Sequence, residues 1–88
     1  SGIKVFPEEV EAVLEMIPEI KQARISSKPH HLLGLIIEGE IVLHKGATID
    51  VEDVLMYCKK RLSAFKAPQR LKIVDSLPMT NSGKLQRH

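Results

Sequence analysis

Residues 33–43 read Leu-Gly-Leu-Ile-Ile-Glu-Gly-Glu-Ile-Val-Leu, and this run carries the strongest strand signal in the chain. Alternation divides it into two faces. The more apolar face holds Leu33, Leu35, Ile37, Gly39, Ile41 and Leu43, and the other holds Ile36, Glu38, Glu40 and Val42. Such a pattern predicts a strand with one buried face and one partly solvated face. The apolar face therefore needs other elements to cover it.

Two amphipathic helices are predicted, one before this strand and one after it. The first begins at Pro7, which suits the first helical turn, and Pro18 stops it. The second follows Asp50, a favourable N-cap residue, and cannot continue through Pro68. Their apolar stripes repeat at three- and four-residue intervals and consist of Val10, Val13, Leu14 and Ile17, then Val51, Val54, Leu55, Cys58 and Leu62.

Shorter alternating segments at 2–6, 20–26 and 70–75 predict three further strands. The resulting β-α-β-β-α-β order indicates an α+β fold with two layers, in which the helices pack on a small central sheet. We expect residues 1–88 to form a single domain. The predicted core consists of Val10, Val13, Leu14, Ile17, Ile37, Ile41, Val54, Leu55, Leu62, Leu71 and Ile73.

Bulk composition excludes several classes of function. The 88 residues carry a formal net charge of +2 and three aromatic side chains, so we expect no nucleic-acid partner. A base-stacking RNA module would need aromatic residues on its central strands, which this sequence lacks. No apolar run is long enough for a membrane span. A single cysteine suits a reducing compartment, so we expect a cytoplasmic protein.

Several residues with chemical potential favour ordinary structural interpretations. His30 and His31 are expected to be exposed and to point apart, and no metal site is predicted. Cys58 lies in a helix stripe and is expected in the core. The basic residues of the C-terminal half are either a solvated face or a patch for the phosphates of a ligand. These residues are Lys59, Lys60, Arg61, Lys66, Arg70 and Lys72.

The sequence contains no glycine-rich phosphate loop and no evident catalytic triad, so a complete active site is not expected. Its most distinctive chemical feature is the C-terminal run at 77–87, Leu-Pro-Met-Thr-Asn-Ser-Gly-Lys-Leu-Gln-Arg. There Lys84 follows Gly83 on a polar turn. Its ammonium group is a compact charge suited to carboxylate and phosphate oxygens. Because the run is terminal and polar, we expect residues 79–88 to be held by local contacts alone.

This run and the N-terminal segment 1–11, Ser-Gly-Ile-Lys-Val-Phe-Pro-Glu-Glu-Val-Glu, together resemble the C-terminal domain of the AMP-forming adenylating enzymes. That superfamily includes acyl-CoA synthetases, peptide-synthetase adenylation domains and beetle luciferases. Between the ends, Phe65-Lys66-Ala67-Pro68 after the second helix and the turn at 46–50 also resemble the family pattern, so the likeness covers the whole chain.

The resemblance implies a mobile lid domain of an enzyme that joins a carboxylic acid to ATP and then transfers the acyl group to CoA. Lys84 matches the lysine that stabilises adenylate formation, and Gly83 matches the glycine that admits its loop into a closed site. Gly2 matches a residue lining the pantetheine tunnel. Lys4 matches a position near the adenylate, and Arg87 matches the final arginine of the motif, whose implied role is anchoring the loop.

The resemblance also implies that the partner is an N-terminal domain of the same polypeptide, which would hold most contacts to ATP, Mg²⁺, CoA and the acid. No cofactor is expected on residues 1–88 by themselves, and no activity. The sequence departs from the family at Leu35, where an acidic residue often follows the glycine. The family's hinge residue and large domain would lie upstream of residue 1. A peptide-synthetase-type domain and a free-standing, non-catalytic binding or regulatory module remain alternatives.

Overall fold

The computed structural model describes residues 6–78 of the chain. The elements in this range are α1 (Pro7–Glu15), β1 (Ile20–His30), β2 (Gly34–Leu43), α2 (Val51–Arg61) and β3 (Arg70–Ile73). β2 is central, pairing antiparallel with β1 and parallel with β3. The predicted α+β class is confirmed. The predicted strand at 2–6 lies almost entirely outside the described residues, and Phe6 itself belongs to no strand.

The core forms where both helices pack on one face of the sheet. Val10 and Leu14 of α1 and Ile41 of β2 are completely buried, as is Cys58 of α2. They belong to a single cluster with Ile20, Ala23, Ile25, Ile37, Val54 and Ala67. Val13, Ile17, Leu62 and Leu71 are partly buried against it, which confirms most of the predicted core.

Two members of the predicted core lie elsewhere. Ile73 is 44% exposed because β3 is short and ends at this residue on the edge of the sheet. Leu55 is half-buried and borders an open groove instead of the cluster. The apolar stripe of a helix predicts which face is buried, but it does not show how many residues of that face the core cluster covers.

The hairpin between β1 and β2 is longer than the sequence pattern suggested. β1 continues to His30 instead of ending at residue 26, and Pro29 is tolerated because β1 is an edge strand in the described sheet. Leu33 and Leu35 were predicted on the buried face, yet they are 63% and 64% exposed at the hairpin tip. Burial begins further along β2, where Ile36 and Ile37 are both covered.

The turn at Gly46 and the N-cap at Asp50 agree with their sequence signals, whereas no turn was predicted at Gly34, the first residue of β2. Gly34 and Gly46 adopt positive φ angles of 81° and 82° at the two ends of β2. Asp50 caps α2, because its Oδ1 accepts a hydrogen bond of 2.8 Å from the Glu52 amide. These features fix where the hairpin turns and where α2 starts.

Gly39 is closely surrounded in the middle of β2. A Cβ atom added there would lie 2.6 Å from Cδ1 of Ile25 and 3.1 Å from the carbonyl oxygen of Arg24. The glycine therefore allows β1 and the start of β3 to pack closely around the central strand.

Candidate functional site

The residues predicted from the family motifs lie outside the described part of the chain. Gly2 and Lys4 precede Phe6, and Gly83, Lys84 and Arg87 follow Pro78. The expectation for the contacts of residues 79–88 falls there too. Their roles remain predictions, and the structure bears on them through the two places where these segments join the folded body.

The N-terminal junction is the first turn of α1. Phe6 is extended, with φ −96° and ψ 114°, and its carbonyl accepts a 2.9 Å hydrogen bond from the Glu9 amide. Pro7 follows at the first helical position, where its missing N–H is not needed. Helix α1 therefore begins immediately after Phe6, the first residue that the structure describes.

A turn between α2 and β3 lies against this junction. The amides of Lys66 and Ala67 both donate to the Ser63 carbonyl, at 2.8 and 3.1 Å. Lys66 Nζ lies 2.9 and 3.3 Å from the two carboxylate oxygens of Glu9. The Phe-Lys-x-Pro segment that resembles the family is thus joined to Glu9, which belongs to the other family segment, residues 1–11.

Gln69 fixes the end of this turn to the central strand. Its amide donates to the Ile37 carbonyl, and its side-chain oxygen accepts from the Ile37 amide, both at 2.8 Å. One residue therefore satisfies both backbone groups of Ile37, as a neighbouring strand would. Beyond β3, the Val74 amide donates to the Ile41 carbonyl, and buried Leu77 precedes the segment that carries Lys84.

An open groove of about 890 Å³ runs beside the sheet, lined in part by charged side chains of all three strands. Lys28 pairs with Glu38 at 2.7 Å, and Arg24 pairs with Glu40. Arg70 and Lys72 of β3 stand in register with the same two glutamates. The predicted basic region is therefore divided, because Arg70 and Lys72 border this groove whereas Lys66 pairs with α1.

The remaining members of the basic region belong to the exposed end of α2. Lys59 and Lys60 are exposed, and the Arg61 guanidinium lies 3.6 Å from the centre of the Tyr57 ring. Cations in the last helical turn complement the helix dipole. This part of the region fits the solvated-face interpretation.

Cys58 is a core residue, as predicted. Burial raises the pKa of its thiol to about 11, and the nearby Arg61 charge opposes that shift only partly. A thiol with a raised pKa is a poor nucleophile at neutral pH.

The two adjacent histidines do not point apart as expected. The rings of His30 and His31 stack with their centroids 4.8 Å apart, and His30 Nδ1 accepts from the amides of Leu32 and Leu33. His30 thus organises the hairpin tip. Within residues 6–78 no three histidine, cysteine or acidic side chains are placed to hold a metal ion.

Sequence reasoning assigned no role to Glu11. Glu11 is buried, and its Oε2 accepts a 2.8 Å hydrogen bond from the Ile25 amide of β1. The sequence did contain a signal for its burial: Glu11 lies three residues before Leu14, inside the apolar face of α1. This bond joins α1 to the edge strand.

Glu11→Leu is expected to destabilise the domain by about 1–3 kcal/mol, because it leaves the buried Ile25 amide without its acceptor. Glu11→Gln retains an acceptor oxygen and should cost less. Urea denaturation of both variants measures the difference. If Glu11→Leu proves as stable as Glu11→Gln, the hydrogen bond from the Ile25 amide makes no net contribution to the free energy of unfolding.

The family assignment follows from comparison with known proteins. Residues 9–84 match the model of the AMP-binding enzyme C-terminal domain. The chain belongs to this family. The matched range includes α1 from Glu9 onward, α2 and the three strands, together with Gly83 and Lys84, but it excludes Gly2, Lys4 and Arg87.

Members with similar sequences are CoA ligases. The chain is 42% identical over 86 residues to an oxalate–CoA ligase of Arabidopsis thaliana and 35% identical to that of Saccharomyces cerevisiae. These alignments cover 98% of the chain but 17% and 16% of the two enzymes. The chain thus spans about one sixth of the length of the curated relatives it matches.

The fold is also similar to parts of solved structures of related enzymes. Apo MatB from Rhodopseudomonas palustris superposes with a TM-score of 0.89 at 34% identity, over 97% of this chain and 17% of that one. A double mutant of the o-succinylbenzoate CoA synthetase of Bacillus subtilis superposes with a TM-score of 0.88, also at 34% identity, over 98% of this chain and 17% of that one. In the described part of the chain, neither helix has the length and apolar character needed to cross a bilayer.

Proposed function

We propose that this AMP-binding C-terminal domain is the lid of an ATP-dependent, AMP-forming acyl-CoA ligase. The proposal rests on the coverage of the sequence alignments: nearly the whole chain aligns with about one sixth of each of several CoA ligases. The partner domain would be the N-terminal part of the same polypeptide. A cytoplasmic location is a further prediction of this proposal.

The proposed reaction has two steps. A carboxylate oxygen attacks the α-phosphorus of ATP, so that an acyl-adenylate forms and pyrophosphate leaves. The sulfur of CoA then attacks the acyl carbon, a thioester forms and AMP leaves. Between the steps the lid would rotate and exchange the segment that faces the reacting atoms.

Lys84 is proposed to act in the first step. Negative charge grows on the oxygens around phosphorus, and a preorganised ammonium group that bridges the carboxylate and the α-phosphate stabilises it. Gly83 would let the loop enter the closed site, and Arg87 would anchor it.

Gly2 is proposed to act in the second step by lining the tunnel for the pantetheine arm, which any side chain would narrow. Lys4 is proposed to lie near the adenylate. The described structure begins two residues after Lys4, at Phe6, whose carbonyl accepts the Glu9 hydrogen bond at the start of α1.

ATP, CoA and the acid are proposed to bind mainly to this N-terminal domain. Mg²⁺ would neutralise phosphate charge there. The described residues provide no cluster of donors for it, so none of them is assigned to the metal. A peptide-synthetase-type domain would instead use a carrier-protein thiol, and the CoA ligases among the relatives favour CoA.

We expect residues 1–88 alone to catalyse no exchange of pyrophosphate into ATP, because the sequence has neither a phosphate loop nor an acyl pocket. The full-length protein should catalyse it with one or more acids of a panel, and should form a CoA thioester. Exchange by the isolated domain would contradict the lid assignment. An upstream coding sequence without an ATP-binding domain would support the free-standing module instead.

A further inference from the structure

The tip of the β1–β2 hairpin is held by an imidazole ring. His30, the last residue of β1, is half-buried, and its Nδ1 lies 3.1 Å from the amide nitrogen of Leu32 and 3.1 Å from that of Leu33. A single ring nitrogen thus accepts two backbone hydrogen bonds. The turn at residues 31–33 leads into Gly34, where β2 begins with a positive φ angle of 81°.

These two bonds require one protonation state of the ring. A neutral imidazole has one nitrogen that accepts and one that donates, whereas both nitrogens of a protonated imidazole donate. The described tip therefore needs a neutral His30 with its proton on Nε2. A proton on Nδ1 would place an N–H group against two amide N–H groups, and both hydrogen bonds would be lost. Histidine is the side chain whose ordinary change of charge falls between about pH 5 and 8.

The groups around the ring add to this effect. The His31 ring stacks on that of His30, with the two centroids 4.8 Å apart, so positive charges on both rings would repel each other. Along β1 the next charged residue is Lys28, and along β2 it is Glu38, and these two side chains pair with each other at 2.7 Å. The ladder partner of His30 is Gly34, which carries no charge.

The same two bonds determine how an apolar tip is presented to solvent. Leu32, Leu33 and Leu35 are 78%, 63% and 64% exposed. The first two supply the amides that His30 binds, and the Leu35 amide donates to the Leu33 carbonyl at 3.1 Å. Loss of the bonds to His30 would therefore release the backbone that carries these leucines. The ladder between β1 and β2 continues away from the tip to the pair of Ile20 and Leu43, and it does not use the ring.

We propose that the hairpin tip is a pH-sensitive switch whose sensor is His30. Neutral His30 binds the Leu32 and Leu33 amides and holds the exposed leucines in one arrangement. Protonated His30 releases both amides, so the tip becomes mobile at acid pH, while the core cluster keeps its packing. The switch involves residues 30–35 and is independent of the proposed catalytic function.

NMR spectroscopy of the 88-residue chain tests the switch. At about pH 8 the nitrogen shifts of the His30 ring should show an unprotonated Nδ1. As the pH is lowered to about 5, the ring should titrate, and the amide signals of Leu32 and Leu33 should shift with the same midpoint. The heteronuclear NOE of residues 31–35 should fall in the same range, because the local structure opens, and the amide of buried Ile41 should not change.

Two variants of His30 and one matched control identify the sensor. His30→Asn does not titrate, and its side-chain oxygen can accept from the amide two residues on, so the Leu32 amide should stay bound at both pH values. His30→Ala should have a mobile tip at both. His44→Asn replaces another exposed histidine, just beyond the opposite end of β2, and should leave the transition of Leu32 and Leu33 intact.

Amide signals of Leu32 and Leu33 that do not follow the titration of His30 would overturn the proposal. An undiminished transition in His30→Asn, or a proton on Nδ1 at high pH, would also overturn it. A transition that disappears in His44→Asn would assign the sensor to His44 and refute the role of His30.

Discussion

Lys84→Ala in the full-length enzyme is expected to slow acyl-adenylate formation by about 10²–10³-fold, the loss typical of removing one preorganised charge contact. The ammonium group is proposed to meet the reacting phosphate in the first conformation of the lid and to face solvent in the second. Thioester formation from supplied acyl-adenylate should therefore be largely spared. Acetylation of Lys84 should act in the same way, because it removes the charge.

Gly2→Leu is the mirror variant for this experiment. Its side chain should fill the pantetheine tunnel, so adenylate formation should be spared and the thiol step blocked. Pyrophosphate exchange measures the first half-reaction, and thioester formation from synthetic acyl-adenylate measures the second. Equal losses in both half-reactions for Lys84→Ala would show that Lys84 is a general binding or structural residue.

Leu14→Ala is expected to cost about 2–5 kcal/mol of unfolding free energy, since it deletes a completely buried side chain and leaves a cavity. Small domains have only about 5–15 kcal/mol in total, so this variant should be largely destabilised. Urea denaturation monitored by circular dichroism measures the change.

Leu55→Ala is the matched control, because the same atoms are removed from a half-buried position beside the open groove. Its cost should be clearly smaller, although the helix stripe alone ranked Leu55 with the core. Equal losses of unfolding free energy in the two variants would mean that the groove is closed in solution or that the side chains around residue 14 fill the space left by Leu14→Ala.

The periodic parts of the fold could be predicted from the sequence, whereas the contacts between elements could not. The stripe from Val10 to Ile17 located α1, and Asp50 marked the start of α2. The extent of the hairpin was missed because Pro29 and two histidines resemble a polar turn. An edge strand accommodates these residues, but edge position depends on strand order, which the periodicity does not contain.

The same distinction between predictable and unpredictable features applies to the candidate site. The family motifs predict roles for Lys84, Gly83, Arg87, Gly2 and Lys4, none of which lies in residues 6–78, so these roles remain predictions. The long-range polar contacts within residues 6–78 were missed, because a hydrogen bond such as that between Gln69 and Ile37 joins positions 32 residues apart. Long-range polar contacts leave no period in a sequence, so they become visible only when the elements are assembled.

The buried carboxylate of Glu11 also bears on how the domain behaves at high concentration. In the described sheet β1 is an edge strand, and edge strands attract the strands of other molecules through their free amides. Here the Ile25 amide is already bound by the helix, and Pro29 has no amide hydrogen to offer. Edge-to-edge aggregation along β1 is thereby discouraged, so loss of Glu11 would promote self-association as well as unfolding.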